Sequence, residues 1–244
     1  MLRFLTSRAP VLLLLLLALL VKLNEPRALQ NLRLNVFDFY QRVFPREYQE
    51  VGVRIVDIDD ETLRRIGQWP WPRARVAELV DRLTALGVAA IGFDMVFAEP
   101  DRLSPERLAD DFAGLVPPDA LRQVAEVMPE SDRILAESLS RAPAVTGFVL
   151  VGQENEASPL QRWGIGSSGD DPLLFLRPFE GAITNLPVLE QGARGNGSFN
   201  AVPDDDGTIR RVFLLFRLGD RILPSLSMEL LRVVQGAQTY LVKS

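Results

Sequence analysis

The sequence predicts a mixed α/β fold: a sheet with a parallel β-α-β core, flanking helices and a C-terminal antiparallel hairpin, preceded by an N-terminal membrane helix. Three stretches carry this reading. An uncharged leucine run occupies Ala9 to Val21, strand and helix patterns alternate from Val53 to Pro100, and Gly219-Asp220 sits as a tight turn between two apolar segments near the end.

Arg3 and Arg8 precede the leucine run and Lys22 follows it, and a positive flank of this kind keeps the first residues in the cytoplasm. The uncharged stretch is shorter than the roughly 20 residues of a full span. Leu2, Leu5 and Leu23 extend it if Arg3 and Lys22 snorkel, and no small-x-small cleavage pattern follows. Residues 1–24 are therefore expected to be an uncleaved anchor. Residues 25–46 then place Leu32, Val36, Phe37, Tyr40, Val43 and Phe44 on one helical stripe, which suits either a stalk or a helix docked on the domain, and Pro45 ends it. Residues 47–244 form the outward-facing domain.

Within that domain Val53 to Asp59 alternates with period two, which predicts a strand whose end presents Asp57 and Asp59 on one side. Asp59 or Asp60 caps a short helix that Gly67 ends. Pro72 suits a first helical position, and Val76, Leu79, Val80, Leu83 and Leu86 recur at helical spacing until Gly87. Val88 to Phe97 is almost continuously apolar, as in a strand covered on both faces, so Asp94 is expected near the edge that carries Asp57 and Asp59.

Residues 104–142 read as helical pieces cut by Pro117, Pro118 and Pro129, of which Asp132 to Arg141 is the clearest. Ala144 to Val151 is a third strand, and Gly152 to Pro178 a long surface loop. Gly197 to Val202 and Ile209 to Phe216 are predicted strands about a turn at Pro203 to Gly207, and Leu226 to Val234 a helix.

Composition excludes several functions. Net charge −5 and a pI near 5.0, with no basic stripe, argue against nucleic acid. Cysteine and histidine are both absent, which removes thiolate and imidazole chemistry, disulfides and any histidine phosphorelay inside the chain. No cofactor is expected, and any metal needs oxygen ligands.

The candidate ligand-binding residues are Asp57, Asp59 and Asp94, with Trp69, Trp71 and Arg73 in the adjoining connector. Grouped at the carboxyl edge of parallel strands, these acids with Glu99 or Asp101 suit a divalent cation or a cationic solute, but helix capping and pairing with Arg73 or Arg75 is the preferred reading. The tryptophans suit stacking on a ligand, but covering the sheet edge is the preferred reading. Asp204-Asp205-Asp206-Gly207 is similar to the start of a calcium loop but lacks the later ligands, so a hairpin turn is expected.

Val-Asp-Ile-Asp-Asp-Glu-Thr-Leu (56–63), Gly-Gln-Trp-Pro-Trp-Pro-Arg (67–73), Ile-Gly-Phe-Asp-Met-Val-Phe-Ala-Glu-Pro-Asp (91–101), Gly-Ser-Phe-Asn-Ala-Val-Pro-Asp-Asp-Asp-Gly-Thr-Ile-Arg-Arg (197–211) and Leu-Pro-Ser-Leu-Ser-Met-Glu-Leu-Leu (223–231) resemble the type 2 CHASE domain. The resemblance covers roughly residues 37–236. It implies an extracellular sensor module of bacterial receptors, without catalysis of its own, set between membrane helices that lead to a cytoplasmic nucleotide cyclase, histidine kinase or protein kinase. That output is expected outside residues 1–244, foremost as a class III adenylate or guanylate cyclase. The expected partners are the bacterial cytoplasmic membrane, an unidentified small molecule or ion, and a second copy in a homodimer. A periplasmic scaffolding module and a secreted carboxylate-dependent hydrolase remain as other readings.

Overall fold

The computed structural model describes residues 2–24, 26–102, 104, 107–108, 111, 115, 117, 119–120, 123 and 130–243, and in the first helix the side chains of residues 10–20 and 23. It divides into two units, Met1–Asp57 and Ile58–Ser244, taken here in turn.

The first unit holds α1 (Leu2–Asn24) and α2 (Arg27–Val43). Leu12 to Leu17, Leu19 and Leu20 are each 48–67% exposed, so the leucine run of α1 is apolar on all sides. Among the described residues no helix is long and apolar enough to cross a membrane, so the helix is observed and its membrane role is not. On α2 Leu34 is buried, while Leu32, Val36, Phe37, Tyr40 and Val43 are exposed. The Phe44 N–H closes the last turn on the Tyr40 carbonyl, one residue before Pro45.

The predicted strand at Val53 to Asp59 is not formed. Residues 45–59 carry neither helix nor strand, and Ile55 is 90% exposed. The physical reason is the missing partner: alternating side chains make a strand only where a neighbour takes up the ladder, and none among the described residues does so here. The Arg54 guanidinium instead makes local, exposed contacts to the Val51 and Val53 carbonyls and pairs with Glu50 at 2.9 Å.

In the second unit Asp59 caps α3 (Asp60–Ile66), and Gly67, at φ 113°, ends it. Pro72 stands at the N-cap of α4 (Arg73–Ala85), one position before the place expected for it. The next predicted strand is reduced to β1 (Ile91–Gly92). Residues 104–130 lie largely outside the described residues, so the helical pieces expected there are not assessed. The chain resumes in α5 (Ser131–Arg141) and β2 (Ala144–Val151), which match expectation closely.

The parallel core therefore exists with different members: β1 runs parallel to β2 in register Ile91 to Ala144, and β6 (Gly195–Ser198) runs parallel to β2 in register Val145 to Gly195. Beyond the reach of β1, the far end of β2 pairs antiparallel with β5 (Gly181–Ile183). α4, α5 and α6 (Pro187–Gly192), with Phe93 and Phe97 from the segment after β1, supply one core that includes Val76, Val80, Leu135, Leu139 and Leu189.

The expected surface loop contains β3 (Gly164–Ser168), which pairs in parallel with β9 (Thr239–Lys243), and β4 (Pro178–Phe179). Gly-Ile-Gly-Ser-Ser has no apolar alternation, and this strand exists because β9 supplies the backbone ladder. β7 (Leu215–Leu218) and β8 (Arg221–Pro224) form the predicted C-terminal hairpin, with Gly219 at φ 57° in its turn, and α7 (Leu226–Gln235) follows from the cap Ser225. A second core, Phe148, Leu150, Trp163, Phe216, Leu223 and Tyr240, fills the space beneath these strands. The turn at 203–207 forms without flanking strands: the Gly207 N–H reaches the Asp204 carbonyl, and Arg210 pairs with Asp204 at 3.0 Å and Asp206 at 2.6 Å. The bond from Arg210 holds the Asp206 carboxyl well below the usual range, so arginines answer these acids.

Candidate functional site

The connector from α3 into α4 is where most of the predicted site residues meet defined structure. Asp59 is exposed and spends its carboxylate on the cap of α3, taking the Thr62 N–H at 2.8 Å and the Thr62 hydroxyl at 2.6 Å. These bonds, the hydroxyl first, hold its carboxyl below the ordinary value. Trp69 and Trp71 meet edge to face with centroids 5.6 Å apart, across a Trp69-Pro70 bond that is cis. Trp71 is buried and donates its indole N–H to the Gly67 carbonyl at 2.8 Å, whereas Trp69 keeps part of its ring at the surface.

Arg73 is the hub of this region. Its backbone N–H, at the head of α4, donates to Asp101 Oδ2 at 2.7 Å, so a carboxylate from another segment answers the positive end of the helix. Its guanidinium lies 4.4 Å above the Phe97 ring, donates to the Glu99 carbonyl at 3.3 Å, and sets Nε 3.4 Å from Asp132 Oδ1. Asp132 Oδ2 in turn takes the Asp101 N–H at 2.9 Å. A closed ring of Arg73, Asp101 and Asp132 thus ties α4, the 97–101 segment and α5 together.

The acids that engage Arg73 are Asp101 and Asp132. Asp94 is exposed after β1, and Asp57 is exposed in the irregular stretch that ends the first unit. Of the predicted set, the structure brings Trp69 and Trp71 together, commits Arg73 and Trp71 to internal bonds, and leaves Asp59, Asp94 and Trp69 reachable from solvent. Among the described residues no group of three or more carboxylates is placed to hold a metal ion.

Two buried acids escaped the sequence reading. Glu229 on α7 is fully buried, yet Arg232 one turn later chelates it at 2.7 and 2.8 Å and Tyr240 donates to it at 2.5 Å. Glu190 on α6 is 5% exposed: Oε2 takes the Leu160 N–H at 2.8 Å, while buried Oε1 has no direct hydrogen-bond partner among the described residues, with Asn185 nearby favouring the charged form. The Glu229 and Arg232 spacing was visible as an i, i+3 pair, but nothing in the string distinguishes a buried pair of this kind from a solvated one. For Glu190 there was no signal.

Against known proteins, the family model of the CHASE2 domain matches residues 11–243, from the leucine run to β9. No curated protein matches the chain. No solved structure matches it either. The CHASE2 domain is a sensor module of signalling receptors, sensory and not catalytic. With nearly the whole chain matched, this protein belongs to the CHASE2 domain family.

Proposed function

We propose that the chain is the extracytoplasmic sensor domain of a bacterial membrane receptor, held by residues 1–24 in the cytoplasmic membrane and relaying an unidentified stimulus to a cytoplasmic output. Family membership across residues 11–243 carries the proposal. The exposed leucines of α1 support the anchor, because an apolar sleeve of that kind is costly in water and is relieved by lipid. The output is foremost a class III adenylate or guanylate cyclase, otherwise a histidine or Ser/Thr kinase. Two copies act together through the exposed stripe Leu32, Val36, Phe37, Tyr40 and Val43 on α2, a self-complementary apolar surface suited to a twofold contact. Crosslinking through Val36→Cys in membranes tests the pairing, and absence of crosslinked dimer there contradicts it.

The stimulus meets the protein at the exposed acids Asp59 and Asp94 and the half-exposed ring of Trp69. Asp57 is a further exposed acid, and Trp71 and Arg73 support the connector from within. Thermal shifts with divalent cations, amines and amino acids, measured on wild type and Asp94→Asn, test this assignment. A ligand of this surface stabilises wild type and loses its effect in the variant. Equal shifts in both proteins remove Asp94 from the site. The sensory role itself is tested by cyclase or kinase activity in membranes bearing the whole receptor: deleting residues 47–244 abolishes the response to external solutes, and a response that survives deletion contradicts the reading.

A further inference from the structure

Residues 152–163 form an irregular strap tied down by side chains. Asn155 bonds both backbone groups of Ala182, at 3.0 and 3.1 Å. Arg221 on β8 holds the Ser158 hydroxyl and, at 3.0 Å, the Pro159 carbonyl. Arg162 reaches back to the Gln191 carbonyl at 2.6 Å. At the centre the Leu160 carbonyl takes the Asn196 amide at 2.7 Å, and the Leu160 N–H goes to Glu190 Oε2 at 2.8 Å.

Glu190 is the weak point of this arrangement. Its second oxygen is buried and makes no direct hydrogen bond among the described residues, and the loss of water costs the ionised carboxylate more than the nearby Asn185 amide and Arg162 return. The charged groups facing it are Arg162 from the strap and Arg221 from β8. From α5, which packs on α6, Asp132 pairs with Arg73, Arg133 with Glu130 and Glu137, and Arg141 with Asp81.

We propose that Glu190 is a proton-operated latch: when neutral it holds the strap closed at Leu160, and when ionised it draws water to Oε1 and releases the strap. Burial raises its carboxyl above the ordinary value of 4.5, against the lowering effects of the Leu160 N–H, Asn185 and Arg162. Closure raises the affinity for the proton, so the contribution of the latch is complete below the ordinary value and is lost as pH rises through the raised one. The strap is tightest in acid. The latch deepens the sensory reading by naming external acidity as a stimulus.

The test reads the strap in residues 1–244 themselves, with no output attached, so failure of the latch and failure of the sensory reading are distinguishable. Amide exchange at Leu160 and its neighbours is followed from pH 4 to 8 and corrected for the intrinsic rate. In wild type the protection falls with pH, by at most about tenfold per unit for a one-proton step. In Glu190→Gln, which keeps an acceptor for the Leu160 N–H, it is flat, and β2 amides are flat in both proteins. Protection of the strap that is flat in wild type, or that falls equally in Glu190→Gln, overturns the proposal. If Glu190→Gln loses β2 protection and so fails to fold, the Glu190 carboxyl of the wild type is titrated directly by carbon NMR instead. Its midpoint is expected to coincide with the loss of strap protection, and a strap that opens at a different pH overturns the latch.

Discussion

Tyr240 Oη donates to Glu229 Oε2 at 2.5 Å, joining β9 to α7 through a carboxylate with no solvent exposure. Arg232 completes the arrangement and also reaches the Ala237 and Arg194 carbonyls, at 2.8 and 3.0 Å. The bond to Glu229 holds the Arg232 guanidinium above its ordinary value, so Arg232 stays charged. Breaking such a pair from one side leaves a buried charge, and Arg232→Met is expected to cost about 3–5 kcal/mol. Tyr240→Phe removes one donor from a carboxylate still chelated by Arg232 and is expected to cost about 1–2 kcal/mol. Denaturant unfolding measures both, and equal costs contradict the assigned roles.

The same geometry has a spectroscopic consequence. Burial, and after it the bond to Glu229, push the Tyr240 phenol above its ordinary 10.0. Because the folded value lies above the unfolded one, this contribution to stability is present below about pH 10 and is lost as pH rises through the raised value. Phenolate absorbance of the native chain at pH 10.5–11 is therefore expected to fall short of the unfolded chain's by about one of its three tyrosines. Full titration of the native chain in that range contradicts the buried bond.

Around Arg73 the expectation is a contrast between two aspartates. Asp132 faces Arg73 Nε at 3.4 Å with its side chain 16% exposed, whereas Asp94 is exposed after β1. Asp132→Asn is expected to lower stability by about 1–3 kcal/mol and Asp94→Asn by less than about 0.5 kcal/mol. Thermal unfolding of the two variants decides it; a larger loss at Asp94 contradicts the ring.

Gly197 on β6 marks a close approach of the α7 backbone. A Cβ there would lie 2.5 Å from Leu226 Cα and 2.8 Å from its N, backbone atoms that a side-chain rotation cannot clear. Gly197→Ala is expected to cost about 1–3 kcal/mol, as overpacking does, read as a lowered midpoint of unfolding. An unchanged midpoint would mean that α7 is free to shift.

Elements marked by dense local signals were legible in the sequence. Val76 and Val80 at helical spacing gave α4, the apolar run Ala144 to Val151 gave β2, and Gly219-Asp220 gave the β7–β8 turn. What failed depended on partners distant in the chain. Val53 to Asp59 alternates as a strand does, yet no described strand pairs with it, while Gly164 to Ser168 lacks any strand pattern and pairs with β9. The site divided in the same way. The cap at Asp59 is a local motif and was foreseen, but the acids that engage Arg73 come from Asp101 and Asp132, 28 and 59 residues along the chain, beyond the reach of any periodicity.

An outward-facing domain on a cytoplasmic N-terminus is the central claim, and the absence of cysteine makes it directly measurable. Single substitutions Leu174→Cys, at a side chain 74% exposed, and Ser7→Cys, before the leucine run, are treated with a membrane-impermeant maleimide on intact spheroplasts and again after lysis. Labelling of Leu174→Cys in intact spheroplasts, with Ser7→Cys labelled only after lysis, is the expected result. Labelling of Leu174→Cys only after lysis contradicts it.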